Sequence, residues 1–217
     1  MNYQFIDILD YGVLAAVVIG LVRFRKILRA YRPFVFIVAG ALVSEFISSR
    51  VIAAGYSNAI PANCWSLAEC LLYLWQFKRW DAFARKPPLY LVLVTAATTY
   101  WITEKIIFGK ITTFQSGFAI TYSFCLVFLA INQLNSLIIM ERTILMRNAK
   151  FVICTGIILF FTYQIMVDSF YVFRLDNSEE FMGKVFKILV IVNLIVNILF
   201  GYAATLLPIR EPFRFRY

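Results

Sequence analysis

Five of the charged residues that fall within the apolar stretches of this 217-residue chain are the first candidates for chemistry: Glu45, Arg50, Glu69, Glu104 and Asp168. A charge at the centre of a membrane-spanning helix costs about 2.5–3.5 kcal/mol on insertion scales, so each residue requires a partner or a function. Glu69 lies near the middle of its apolar stretch, Glu45 lies slightly outward of the centre of its own, and the other three lie towards one end of theirs. In the orientation argued below, most of this charge lies in the outer half of the membrane, which predicts a polar pocket open to the outside.

Glu69 has two interpretations that the sequence leaves open. In the first, Arg50 reaches across from the preceding helix and neutralises Glu69 or Glu45, which is a structural role. In the second, Glu69 shares a polar helix face with Ser66 and Tyr73 and lines the pocket. Four other acidic residues either line the predicted pocket or lie solvated at the membrane surface: Asp7, Asp10, Glu104 and Asp168.

Amide and small side chains recur at four-residue spacing along several apolar stretches. Asn193, Asn197 and Gly201 share one helix face, which is typical of hydrogen bonding between helices, with a ligand contact as the alternative. Small residues follow the same spacing in the first two stretches and predict close packing between them: Gly12, Ala16 and Gly20, and then Gly40, Ser44 and Ser48.

The residue types that are missing limit the chemistry. The chain has no histidine, which argues against b-type haem, histidine-based metal sites and histidine acid–base catalysis. Its four cysteines form no CxxC pair and lie in or near apolar stretches, so they are interpreted as buried free thiols. Phosphate-binding loops and hydrolase motifs are also absent from the sequence. The sequence therefore predicts a protein that is not an enzyme and holds no metal or cofactor.

The composition indicates that lipid surrounds the elements that carry these residues. Hydrophobic residues make up 62% of the chain and charged residues 15%, whereas a soluble domain has about 45–50% and 25%. Spanning the hydrocarbon core takes roughly 20 apolar residues. The predicted fold is an all-α, polytopic membrane helix bundle that forms one transmembrane domain over residues 1–217. Its seven spans are expected near residues 6–22, 33–54, 62–77, 89–108, 114–140, 151–173 and 185–207.

The basic residues predict the orientation of these spans. Of the 21 Lys and Arg residues, fifteen fall in the connections after the first, third and fifth spans and in the C-terminal tail. Because cytoplasmic loops carry the excess of Lys and Arg, this places the C-terminus in the cytoplasm and the N-terminus outside. The net charge of +9 is thus interpreted as topogenic, and nucleic acid is not an expected partner.

Three stretches resemble a group of small bacterial seven-helix membrane proteins that are associated with two-component sensor histidine kinases. They are NCWSLAECLLYLWQF at 63–77, RNAKFVICTGIILFFTYQI at 147–165 and VNLIVNILFGYA at 192–203. The resemblance implies a multi-pass protein of the bacterial inner membrane that passes a signal to a partner or stabilises one. That partner is expected to be a sensor kinase or a larger membrane complex, with membrane lipids as the surroundings.

Three functions remain open at this point. The first is a non-enzymatic sensor or accessory subunit that acts through a membrane protein partner. The second is a small transporter or channel that uses the intramembrane carboxylates, although helices broken by Gly or Pro in paired positions are not evident. The third is an intramembrane enzyme that modifies lipids with Glu69 or Glu45 and Asp168.

Overall fold

A computed structural model describes residues 13–114, 117–140, 145–173 and 179–209. Within these ranges the chain forms seven α-helices: α1 Leu14–Arg23, α2 Arg32–Ala53, α3 Ala59–Arg79, α4 Pro87–Ile102, α5 Gly117–Met140, α6 Ala149–Phe173 and α7 Glu179–Leu206. The described segments contain no strand, and each helix falls on one of the seven predicted apolar stretches. Asp7, Asp10 and Gly12 lie outside the described residues, as do residues 6–12 of the first predicted span and the C-terminal tail from residue 210.

Four of these helices are long and apolar enough to cross a membrane. The qualifying segments are Arg29–Ala53, Gly117–Ile139, Ala149–Phe170 and Gly183–Leu206, which correspond to α2, α5, α6 and α7. They make the chain an α-helical membrane protein. Helix α3 has 21 residues and carries several polar side chains, while α4 has 16 residues and continues into the wider π-helical turn Thr103–Ile107.

Proline and residues with positive φ mark several helix boundaries. Pro33 and Pro87 occupy the first turns of α2 and α4, where the missing N–H costs nothing because no intrahelical acceptor exists there. After α2, Gly55 has a φ of 81°, a conformation that suits glycine because it lacks a Cβ atom. After α3, Asp81 has a φ of 59°, and aspartate is among the few other residues that adopt it.

The seven helices follow one another around a ring. Each helix packs against its neighbours in sequence, and α1 packs against α7, which closes the ring. Helix α3 also contacts α5, so α3 lies towards the middle of the bundle and α4 on its periphery. The core is rich in aromatic pairs, such as Phe34 of α2 with Phe200 of α7, whose ring centroids are 5.4 Å apart. This arrangement brings polar residues of α3, α5 and α6 close together.

Small residues permit close helix contacts, although not all between the predicted helices. Gly20 of α1 faces Val35 of α2, and an added Cβ atom would lie 3.2 Å from the valine side chain. This contact joins the first two helices as predicted. Gly40 of α2 instead faces the Trp65 ring of α3, where a Cβ atom would lie 2.5 Å from the ring. The small face of α2 therefore packs on α3, because the large Trp65 ring needs the space that glycine leaves.

One arginine ties the first connection to the end of the last helix. The Arg23 guanidinium donates hydrogen bonds to the backbone carbonyls of Ala204 at 2.9 Å and Leu207 at 3.1 Å, and also to that of Thr205. These carbonyls lie at the end of α7, where no further N–H group of the helix can donate to them, so a cation there is stabilising. The Leu28 N–H adds a bond to the carbonyl of Pro208 at 3.0 Å.

Candidate functional site

The central candidate is the carboxyl group of Glu69, which lies in the middle of α3. The Tyr122 hydroxyl of α5 donates a hydrogen bond to Glu69 Oε2 at 2.9 Å. Tyr122 is buried, and Glu69 is half-buried. This hydrogen bond joins α3 to α5. Tyr122 is the polar partner that Glu69 needs, because an unpartnered carboxyl group in the middle of a membrane helix is energetically costly.

Aromatic rings of a third helix enclose this contact. The ring of Phe161, on α6, meets the ring of Tyr73 at 5.4 Å and that of Tyr122 at 5.7 Å between centroids. The interplanar angles of 84° and 75° are the edge-to-face geometry that aromatic pairs favour. The carboxyl group of Glu69 therefore lies where α3, α5 and α6 meet.

Asp168 of α6 brings a second carboxyl group near the same tyrosine. It is buried, accepts a hydrogen bond from the Gln164 amide nitrogen at 3.0 Å, and lies within electrostatic range of Tyr122. We call the four residues Glu69, Tyr122, Gln164 and Asp168 the carboxylate cluster. It contains two of the five charged residues that the sequence proposed as a pocket.

Glu104 takes part in a separate polar cluster, at the end of α4. Its Oε2 atom lies 3.3 Å from the ammonium group of Lys105, which is 2% exposed, and its Oε1 atom accepts the Phe118 N–H at 3.0 Å. The residues Thr103–Ile107 form a π-helical turn, a geometry that is frequent at functional sites. Glu104 thus caps the start of α5 instead of occupying the solvated position that was its alternative.

Gly117 allows this capping contact. A Cβ atom at position 117 would lie 2.5 Å from Glu104 Oε1 and 2.9 Å from the Tyr100 hydroxyl. The Asn63 amide adds a further tie at this end of the bundle, since it donates to the carbonyls of Ile111 at 2.8 Å and Thr113 at 3.0 Å. The connection between α4 and α5 is therefore held to the start of α3.

The proposed pair of Arg50 and Glu69 does not form. Arg50 is exposed, and its guanidinium lies 5.0 Å from the ring centroid of Phe46, one turn back on its own helix. Lys105 and Glu104 form an ion pair, and Glu69 is hydrogen-bonded to Tyr122. The structural interpretation of Glu69 through Arg50 is therefore wrong, because the cation packs along α2. Glu45 is half-buried on the same helix.

The predicted amide face of α7 is turned towards the bundle. Asn197 is buried and Asn193 is half-buried, on a helix that packs between α6 and α1. One turn further on, the position that a Cβ atom of Gly201 would occupy lies 4.0 Å from Ala15 of α1. This stripe therefore lies at helix contacts.

Sequence reasoning did not identify Tyr122 or Asn63. Tyrosine is common in this chain, with 12 copies, so its type alone gave no signal. The contact also depends on α3 packing against α5, two helices that are not consecutive. Among the described residues, no group of three or more His, Cys, Asp or Glu side chains could hold a metal ion.

Comparisons with protein-family models, with curated proteins and with solved structures find no match for this chain. The class that the fold defines is therefore an α-helical membrane protein with seven helices in the described part of the chain.

Proposed function

We propose that this chain is a non-enzymatic membrane sensor or accessory subunit that acts through a membrane protein partner. The hydrogen bond from Tyr122 to Glu69 supports this proposal most. It joins two helices at a carboxyl group inside the bundle, and a third helix carries Asp168, which lies within electrostatic range of Tyr122. A ligand or a proton that reaches this cluster changes how three helices are held together.

The chemistry of the cluster suits a switch between two helix arrangements. Its hydrogen bonds are directional, so a ligand that takes the place of the Tyr122 hydroxyl breaks the link between α3 and α5. Such a ligand shifts the population of arrangements only by its difference in affinity for them. The altered packing is then available to a neighbouring helix of the partner, since packed helices move between discrete arrangements.

We propose further that all seven helices cross a bacterial inner membrane, with the N-terminus outside and the C-terminus in the cytoplasm. The excess of Lys and Arg in alternate connections supports this orientation. The contact of Arg23 with the end of α7 is consistent with it, because both then lie on the cytoplasmic side. The resemblance to proteins associated with sensor kinases supports a kinase or a larger complex as the partner.

Purification from native membranes tests the role of a partner. The chain is extracted in mild detergent, and the intact complex is weighed by native mass spectrometry. A stoichiometric second protein that is retained by wild type and by Arg50→Gln, but lost from a folded Glu69→Leu variant, is the expected result. Arg50→Gln is the control because Arg50 is exposed and packs on its own helix. A stable monomer with measurable catalytic turnover would refute the proposal.

A transporter is the second candidate, and one observation favours it. Glu69 accepts a hydrogen bond from Tyr122, and Asp168 lies within electrostatic range of the same tyrosine; carboxyl groups inside a membrane form the proton relays of pumps and transporters. Reconstitution in liposomes with a pH-sensitive dye inside distinguishes the two candidates. Proton movement that follows an imposed potential and disappears in Glu69→Gln favours a transporter, and its absence from wild type favours a sensor or accessory subunit.

A further inference from the structure

Two buried polar atoms without a hydrogen-bond partner lie one turn apart at the end of α3. Gln76 is fully buried, and its amide nitrogen donates to the carbonyl of Ala30 at 2.7 Å, but its Oε1 atom accepts no hydrogen bond. Trp80 is 6% exposed, and its indole N–H donates none. Buried amide and indole groups nearly always find a partner, so this pair requires an explanation.

A third such atom lies beside the same short turn. The turn Arg29–Tyr31 precedes α2, and the Tyr31 ring meets the Trp80 ring at 5.8 Å between centroids. The next residue is Arg32, whose Nε atom is buried without a hydrogen-bond partner. Of five side-chain atoms of this kind in the described part of the chain, three belong to residues in or against residues 30–32. This concentration indicates one binding site rather than scattered packing defects.

The groups around this turn favour an anion. The Lys150 ammonium lies 3.4 Å from the Trp80 carbonyl oxygen and 5.5 Å from the centroid of its ring. The amide nitrogen of Gln133 approaches the same oxygen at 3.5 Å, so the Trp80 carbonyl is already occupied. The unpartnered groups are therefore the donors of Trp80 and Arg32 and one acceptor on Gln76. The positive charge of Lys150 lies beside Trp80, and the Arg32 guanidinium lies 5.4 Å from the centroid of the Phe24 ring.

We propose that Arg32, Gln76, Trp80 and Lys150 form a binding site for a phosphate group, which we call the phosphate site. The guanidinium, the indole N–H and the ammonium donate to phosphate oxygens, and Gln76 Oε1 accepts from a hydroxyl on the phosphate or next to it. The site lies where α3 ends and α6 begins, at the depth of lipid headgroups. Basic sites between membrane helices on the cytoplasmic side bind such headgroups. An anionic phospholipid and free phosphate share this chemistry.

The phosphate site is separate from the carboxylate cluster. Trp80 follows Glu69 by 11 residues on α3, which is about 16 Å along a helix with a rise of 1.5 Å per residue. The inference therefore holds whether the chain is a sensor, an accessory subunit or a transporter. A lipid bound there would fix the ends of α2, α3 and α6 relative to one another.

Lipid binding to the purified, delipidated protein tests this site. Native mass spectrometry measures retention of dioleoylphosphatidylglycerol and of a neutral galactolipid with the same acyl chains. In a second assay, thermal unfolding is measured while inorganic phosphate is raised about tenfold, from about 1 to about 10 mM. Wild type is expected to retain phosphatidylglycerol over the galactolipid. Trp80→Phe, which removes one donor to a charged group, is expected to weaken that retention about tenfold. Trp75→Phe is the matched control, because Trp75 lies on α3 one turn before the phosphate-site end and stacks on Phe36 of α2.

The outcomes separate the sources of the phosphate group. Stabilisation by inorganic phosphate, lost in Trp80→Phe, assigns the site to free phosphate, whereas an effect of phosphatidylglycerol alone assigns it to a lipid. The proposal is overturned if both lipids are retained equally and phosphate has no effect, or if Trp80→Phe and Trp75→Phe behave alike. In either case a buried water is the partner of the unpartnered atoms of Arg32, Gln76 and Trp80. If Trp80→Phe does not fold, Lys150→Gln replaces it, with recovery in Lys150→Arg and no effect of the exposed Arg147→Gln.

Discussion

Tyr122→Phe removes the central hydrogen bond of the carboxylate cluster and leaves the packing of the ring in place. The ring contacts of Tyr122 with Phe118, at 5.1 Å, and with Phe161, at 5.7 Å, do not involve the hydroxyl. Hydrogen bonds between membrane helices contribute about 0.6 kcal/mol on average and about 1.7 kcal/mol at most. The bond of 2.9 Å in a buried setting belongs in the upper part of that range, so we expect a loss of about 1–1.7 kcal/mol.

Equilibrium unfolding in mixed micelles, followed by far-ultraviolet circular dichroism, measures this loss. Tyr202→Phe is the matched control, because Tyr202 is exposed on α7 and its hydroxyl makes no hydrogen bond within the described residues. A double-mutant cycle with Glu69→Leu isolates the interaction, and we expect the coupling to account for most of the loss. A loss in Tyr122→Phe no larger than in Tyr202→Phe, with no coupling to Glu69, would show that this bond does not hold α3 to α5.

Three further predictions concern the ends of the helices and their orientation. Gly117→Ala places a Cβ atom 2.5 Å from Glu104 Oε1 and should lower the free energy of unfolding by about 1–3 kcal/mol, measured by thermal unfolding. Gly183→Ala is the control and should be neutral or stabilising, because a Cβ atom there meets nothing within 4 Å. Equal effects of the two substitutions would contradict the capping role of Glu104. Arg23→Gln should lower the unfolding free energy by about 1–2 kcal/mol, because part-buried carbonyls at the end of α7 lose a charged donor, and Arg25→Gln should not, because Arg25 is exposed. Single cysteines at Asn58 and Arg85 in a cysteine-free background should react with impermeant maleimide from opposite sides of the membrane, and labelling from one side would refute the proposed topology.

The number and place of the helices followed from the sequence, because long apolar stretches have few alternatives in lipid. Helix α2 was expected at 33–54 and is Arg32–Ala53, and α6 was expected at 151–173 and is Ala149–Phe173. Prolines and basic clusters separated the stretches clearly. The described part of the chain contains four helices that meet the length and hydropathy needed for a span, while α1, α3 and α4 are shorter or more polar.

The contacts between helices were less predictable. Glu69 was identified by its depth, but its partner was sought on the neighbouring helix, where Arg50 offered the opposite charge. The structure supplies a neutral donor, Tyr122, from a helix two positions further along the chain. Charge and depth in a sequence identify a residue that needs a partner, whereas the choice of partner depends on which helix faces pack together.

The unpartnered atoms of Gln76 and Trp80 could not have been found from the sequence. Both residues have types that are ordinary at the end of a membrane helix. Their significance arises only when burial and hydrogen bonds are known atom by atom. A similar limit applies to Gly117, since its need for glycine comes from the position of Glu104 across a connection.

The central claim is that the carboxylate cluster controls how α3 and α5 pack. Pulsed electron paramagnetic resonance measures the distance between α3 and α5. The nitroxide labels are attached to single cysteines at the exposed positions Arg79 of α3 and Asn135 of α5 in a cysteine-free background. Because the Tyr122 hydroxyl links α5 to α3, we expect Tyr122→Phe to shift or broaden the distance distribution in lipid nanodiscs, and Tyr202→Phe to leave it unchanged. Identical distributions in wild type and Tyr122→Phe would contradict the claim that this cluster sets the helix arrangement.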